Sequence, residues 1–157
     1  MIKFSKEGGM IKPTGIRKLD GKHDMNLSLP HIAIGVFSEC LLNDIVQKFL
    51  CEKVGTLSCA NCQRPVYIMK YKDVKFTLFL AGVSGPWISS DIEQLSVHGV
   101  DTFIIFGNCG VLDKSIEDCS IIIPNKAFRD EGTSYHYMTE SDWVELNPKY
   151  TDVFKQI

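Results

Sequence analysis

Four stretches of this sequence bring together residue types that could do chemistry. Two are glycine-containing loops, Gly82-Val-Ser-Gly-Pro86 and Gly107-Asn-Cys-Gly110. Glycine lets backbone N–H groups approach an anion closely, and a helix that starts just after such a loop adds the positive end of its dipole. Neither loop matches the P-loop or the dinucleotide fingerprint. On spacing alone each is either a ligand loop or a plain strand-to-helix turn. The third stretch is Cys59-Ala-Asn-Cys62, half of a zinc site or a redox pair. A structural zinc needs four ligands, and no second Cys-x-x-Cys or His pair is present; Cys51 and His98 stand at poor spacing. A thioredoxin-type pair opens a helix after a strand, whereas this one falls in the turn of an expected hairpin. Coincidental spacing is therefore preferred, with a thiol- or zinc-binding module as the weaker alternative. The fourth stretch, Arg129-Asp-Glu-Gly-Thr-Ser-Tyr-His-Tyr137, is dense enough in polar groups for a site or a subunit contact. His136 is its one side chain suited to proton transfer near neutral pH. The plainer alternative is a self-bonded loop in which Arg129 pairs with Asp130 or Glu131.

These residues need elements to position them. An apolar run at 31–37 follows Pro30 and suits a buried strand. Ser38 then offers an N-cap, and Leu41, Leu42, Ile45, Val46, Phe49 and Leu50 recur at helical spacing. Residues 53–58 and 65–71 read as a strand pair, with Val66, Ile68 and Lys70 on one face and Tyr67, Met69 and Tyr71 on the other. Lys72-Asp73 is a tight turn into a strand at 74–81, where Phe76, Leu78 and Leu80 share a face. Pro86 fits the first position of a helix with Ile88, Ile92 and Leu95 on its apolar side, ending near Gly99. Residues 101–106 form a fully apolar strand, hence an expected central one. A further strand is expected at 119–124, and residues 125–157 are mixed. Residues 1–30 are polar, lack a period and read as an irregular arm laid on the core or on a partner subunit. The order β-α-β-β-β-α-β-β predicts a mixed sheet covered by helices.

The composition narrows the partners. The chain has 157 residues, 45% of them apolar, with a mean hydropathy of +0.01, enough for the core of one domain. Seventeen basic and nineteen acidic side chains give a net charge of −2, which argues against nucleic-acid and anionic-membrane partners. The apolar runs fall short of the ~18 residues of a membrane span. The opening residues lack the apolar stretch of a signal peptide, so a cytoplasmic protein with six free thiols is expected.

The block from Ala81 to Tyr137 resembles the nucleoside phosphorylase family, in its uridine phosphorylase-like branch. Gly82-Val-Ser-Gly-Pro86 is similar to the Gly-rich turn before the family's second helix. Phe106-Gly-Asn-Cys-Gly-Val-Leu112 is similar to its substrate-binding Gly-Thr-x-Gly segment. Ile121-Ile-Ile-Pro124, followed by the 129–137 stretch, resembles the strand and loop that come next. A weaker match runs back to about His31. The resemblance implies a three-layer α/β/α fold around a mixed sheet. It also implies phosphorolysis, in which inorganic phosphate as co-substrate displaces the base from a nucleoside to give ribose-1-phosphate, without a metal or organic cofactor. It implies a dimer or higher homo-oligomer. By position, Asn108, Cys109 and Gly110 form the substrate loop, with Gly82 and Ser84 nearby and Arg129 and His136 as candidate loop contributors.

Departures from the family pattern also shape the expectation. The early phosphate loop, Gly-Asp-Pro-x-Arg, reads Gly35-Val-Phe-Ser-Glu-Cys40 here, where Glu39 would repel phosphate. Ile105 stands at the place of an Arg, and Asn108 replaces a Thr. Two lost Arg side chains would remove charge-assisted bonds worth roughly 1.5–3 kcal/mol each. The family's base-recognition Gln and Arg and its Met-Glu ribose clamp lie downstream of the position matched by Tyr137. The resemblance therefore covers the N-terminal portion of that fold, and a single, C-terminally shortened domain over 1–157 is expected. The alternative function is a non-catalytic relative acting through self-association.

Overall fold

The computed structural model describes residues 15–17 and 26–154. Most of the expected irregular arm at 1–30 lies outside the described residues. Its described parts lie on the core, where Ile16 and Leu29 are buried and Arg17 exchanges backbone hydrogen bonds with Thr56.

Strand β1 (Ile32–Val36) leads through Ser38 into helix α1 (Glu39–Lys48). The Ser38 hydroxyl accepts the Leu41 N–H at 3.2 Å, satisfying one of the orphan donors of the first turn. Glu39 and Lys48 sit at the helix ends where the dipole favours their charges. A hairpin of β2 (Leu50–Ser58) and β3 (Gln63–Tyr71) follows, then β4 (Val74–Leu80) after a turn in which Lys72 takes a φ of 52°. Helix α2 (Gly85–Ser96) and strand β5 (Thr102–Phe106) complete this part.

The strand order is β2-β3-β4-β1-β5. β1 runs parallel to β4 and β5, while β2–β3 and β3–β4 are antiparallel. Alternation along the strands feeds two separate cores. Val36, Leu78 and Met69 point to the face covered by Leu42, Leu41, Ile45 and Val46 of α1. Ala33, Val66, Phe79 and Ala81 point to the other, covered by Leu95 and Ile88 of α2. The result is a three-layer α/β/α arrangement around a mixed sheet, as expected. Gly35 belongs to the α2 face, where the Phe79 ring lies over it; an added Cβ would meet that ring at 2.6 Å.

Two expectations are corrected. β5 is an edge strand rather than a central one: it pairs with β1 alone among the described strands, and Ile105 and Phe106 are 39% and 51% exposed. Apolar content reports what covers the faces of a strand, and it is silent on how many ladders the strand joins. Residues 119–124 are not a strand. They join no ladder among the described residues, Cys119 has a φ of 64°, and Ile121 is exposed. β-branched residues favour extended backbone, but a strand also needs a neighbour's N–H and C=O groups.

The described residues up to Asn108 and those from Cys109 onward form two compact units. The second contains β6 (Lys126–Phe128), a single 3-10 turn at Ser134–His136, β7 (Trp143–Glu145) and α3 (Pro148–Phe154). β6 and β7 pair antiparallel, with Phe128 edge-on to Trp143 and the Lys126 ammonium over the indole.

Candidate functional site

Because β4, β1 and β5 are parallel, their carboxyl ends lie along one edge of the sheet. The chain leaves β1 toward α1 on one face and leaves β4 toward α2 on the other. Adjacent parallel strands whose connections depart to opposite faces leave a crevice between their ends, which is where open α/β sheets bind ligands. Three segments line this edge: Phe37 and Ser38 after β1, Ala81 to Ser84 after β4, and Gly107 and Asn108 after β5. Of the residues singled out from the sequence, Gly82, Ser84 and Asn108 are brought to this one edge. Cys109 and Gly110, the next residues in the chain, begin the second compact unit.

Gly82 is fixed by its surroundings. Its N–H donates to Asp91 Oδ2 at 2.8 Å, and the Trp87 indole fills the space a Cβ would need. Ser84 caps α2, its hydroxyl accepting the Trp87 N–H at 3.4 Å; the helix begins at Gly85, so Pro86 is its second residue rather than the expected first, still within the turn whose N–H groups have no intrahelical partner. The Phe37 ring sits against Gly107, where an added Cβ would meet it at 2.8 Å. Ser84 and Asn108 are exposed, with side chains open to a ligand.

A buried ion pair anchors the Gly82 turn, and the sequence reading missed it. Arg64 donates to both carboxylate oxygens of Asp91 at 2.7 and 2.5 Å and to the Leu80 carbonyl at 2.7 Å. Its guanidinium lies 4.6 Å from the centre of the Trp87 ring. The side chains are 8% and 0% exposed. Burial works against the Arg64 charge, but the hydrogen bonds and negative charge of Asp91 outweigh it and raise the Arg64 pKa above its ordinary value. The available signal was Asp91 itself: at i+3 from Ile88 and i−4 from Leu95, an acid sits on the apolar stripe of a helix. A carboxylate there needs a buried cation.

Arg129 and His136 belong to the second unit. Arg129 is 4% exposed and does not pair with Asp130 or Glu131. Its Nε donates to Ser134 Oγ at 2.8 Å, and its Nη1 donates to the Thr139 carbonyl and Ser141 Oγ at 2.7 and 2.8 Å. Its guanidinium stacks 4.3 Å from the Tyr135 ring centre. Carbonyls and hydroxyls lie within reach of the fork once the strand end at Phe128 directs it into its own loop. Glu131 instead accepts the Thr133 and Ser134 N–H groups, and these hydrogen bonds, Ser134's foremost, hold its carboxyl below the usual range. His136 is exposed in the 3-10 turn.

Among the described residues no three His, Cys, Asp or Glu side chains gather as metal ligands. His98 is buried and structural: its Nε2 accepts the Ile16 N–H at 2.8 Å and its Nδ1 pairs with the Leu27 carbonyl at 2.9 Å. With Nε2 an acceptor, Nδ1 carries the proton. Cys51 packs beside the α1-side core, and burial pushes its thiol up.

Comparison with known proteins matches residues 31–157 to the family model of the phosphorylase superfamily. The chain belongs to this superfamily. It is similar to a uridine phosphorylase of Thermococcus kodakarensis, 41% identical over 69 residues, covering 44% of this chain and 25% of that protein. It is also similar to a guanosine phosphorylase of Halorubrum lacusprofundi, 30% identical over 88 residues, covering 56% and 36%. In fold it is similar to the uridine phosphorylase of Vibrio fischeri, with a TM-score of 0.64 and 25% identity over 83% of this chain and 51% of that one. The purine nucleoside phosphorylase of Toxoplasma gondii, solved with immucillin-H, shares the fold with a TM-score of 0.68 at 20% identity, over 82% and 51%. The chain thus spans about a quarter to a third of these curated relatives and about half of these solved structures. It is a nucleoside phosphorylase family member, uridine phosphorylase-like.

Proposed function

We propose that this chain binds inorganic phosphate and a nucleoside at the carboxyl ends of β4, β1 and β5, and that it serves phosphorolysis of the nucleoside to free base and ribose-1-phosphate. The observation that carries this reading is the superfamily match over residues 31–157 on a chain whose Gly82, Ser84 and Asn108 share one sheet edge. In the reaction a phosphate oxygen bonds to the anomeric carbon of the ribose while the bond to the base breaks and the base leaves with the electron pair. The transition state is oxocarbenium-like, so a phosphate held beside the sugar stabilises its developing positive charge. Asn108 and the backbone around Gly82 orient phosphate and ribose, Ser84 offers a hydroxyl, and the twelve-residue helix behind it turns its positive end toward the anion.

Incubation with phosphate and a panel of purine and pyrimidine nucleosides tests this directly. Free base accumulates in proportion to protein and only with phosphate present. Base release at the level of the protein-free control contradicts it.

A second reading is a non-catalytic relative that acts through self-association. Glu39 favours it: an exposed carboxylate opens α1 beside the crevice, and no Lys or Arg occurs in 37–39, 81–86 or 107–110. This reading predicts no thermal shift with phosphate, nucleoside or ribose-1-phosphate, whereas a ligand at 100 times its Kd adds about 2.7 kcal/mol. Light scattering reports the oligomer expected under either reading.

A further inference from the structure

The tip of the β2–β3 hairpin carries chemistry that phosphorolysis does not use. Residues 59–62 form a four-residue loop between the paired Ser58 and Gln63, closed by the Cys59 N–H donating to the Cys62 carbonyl at 3.0 Å. This closure turns both side chains to the same side, so that the sulfurs of Cys59 and Cys62 lie 3.0 Å apart. A disulfide bond is about 2.05 Å long, so the pair joins by a movement of about 1 Å, without rearrangement of the ladder. Cys59 is exposed at the tip, whereas Cys62 is half-buried one turn position from the sheet. Arg64, two residues on, is buried and keeps its Nε without a hydrogen-bond partner.

We propose that Cys59 and Cys62 are a reversible dithiol–disulfide pair that exchanges with low-molecular-weight disulfides, Cys59 attacking and Cys62 resolving. The Cys59 thiolate bonds to one sulfur of the small disulfide, whose S–S bond breaks and releases one thiolate. The Cys62 sulfur, having lost its proton to solvent, attacks Cys59 Sγ and expels the second thiolate. Both released thiolates take up protons. One small disulfide is reduced to two thiols, and two protein thiols are oxidised to one protein disulfide. The division of labour follows from the contacts. Hydrogen bonds that its sulfur accepts from the Cys62 thiol, and then from the Asn61 backbone N–H, hold Cys59 below the ordinary thiol range. The same donation keeps Cys62 protonated and raises it, while Arg64 pulls in the opposite direction. Once Cys59 is in mixed disulfide, the thiol-to-thiolate hydrogen bond is gone and the Arg64 charge remains to favour the Cys62 thiolate. The spacing alone pointed to coincidence because a hairpin loop lacks the helix N-terminus of thioredoxin-type pairs. The turn closure and the arginine supply the alignment and the charge instead.

The test equilibrates the reduced full chain in glutathione buffers of rising oxidised fraction, then quenches it with acid, alkylates and digests it. Peptide 54–70, bounded by Lys53 and Lys70, holds both cysteines. It loses two hydrogens, escapes alkylation and regains two alkylation sites after dithiothreitol, at oxidised fractions that leave Cys40, Cys51, Cys109 and Cys119 alkylatable. In Cys62→Ser the glutathione adduct accumulates on Cys59, at least tenfold above that on Cys62 in Cys59→Ser. The proposal is overturned if both cysteines stay alkylatable as long as the other four do. It is equally overturned if the disulfide links other positions, or if Cys62 is the residue that carries the adduct.

Discussion

Asp91 shows how one residue ties packing to the site. Its carboxylate takes two bonds from Arg64 and one from the Gly82 N–H, so the turn after β4 rests on a buried charge pair. Removing one partner of such a pair strands the other. Asp91→Asn is expected to cost about 3–5 kcal/mol in denaturant unfolding, and a loss under about 1 kcal/mol would show that the pair does not anchor the turn. His98 makes a parallel case at the other end of the sheet. His98→Ala leaves the Ile16 N–H and Leu27 carbonyl unpaired over a cavity, for an expected loss of about 2–4 kcal/mol. At the hairpin tip the pKa shifts give a pH signature. Thiolate is the alkylating form, and Cys59 is lowered while Cys62 is raised. The iodoacetamide rate of Cys59 therefore reaches half its plateau at a lower pH than that of Cys62; the reverse order, mapped by mass spectrometry, would contradict the assignment. At this scale the sequence offered candidate residues but not the partners that hold them. Arg64 sits 27 positions from Asp91, and only the fold brings them together.

The elements of the first unit were mostly legible because local patterns agreed with the final packing. Helical spacing from Leu41 to Val46 became the α1 face, and the alternation of Val66 and Ile68 with Tyr67 and Met69 separated the two cores. β2 and β3 run longer than expected, since cross-strand bonding carries exposed residues such as Leu50 and Gln63 into the ladder. β5 and residues 119–124 were misread for one reason: propensity is local, whereas pairing depends on a neighbour. Two substitutions test the packing. Ser38→Ala removes the cap of α1 and should cost about 1 kcal/mol. Gly35→Val pushes against the Phe79 ring and Ile105 and should cost about 1–3 kcal/mol as overpacking; a neutral thermal melt would show that the ring can move aside.

For the molecule as a whole, burial is uneven. The buried apolar residues of both core clusters come from residues 16–100. In the second unit Leu112, Ile121, Phe128, Trp143 and Val153 are among the exposed large apolar side chains. Amides of β1 and β4 should accordingly exchange slowest with deuterium, and those of 109–154 much faster; equal protection would place more of the stability in the second unit than its burial supports. The overall architecture was readable as an α/β sheet with helices on both faces. Its edge was not, nor was the division at Asn108, since neither leaves a local pattern.

The carboxyl ends of β4, β1 and β5 are proposed to hold phosphate and ribose. Amide chemical-shift mapping of the labelled chain, titrated with ribose-1-phosphate, tests this most directly. Binding at this edge gives saturable shifts centred on Gly82, Ser84 and Asn108, absent from the hairpin tip at 59–62. No shift at millimolar ligand, or shifts confined to other parts of the molecule, would contradict it.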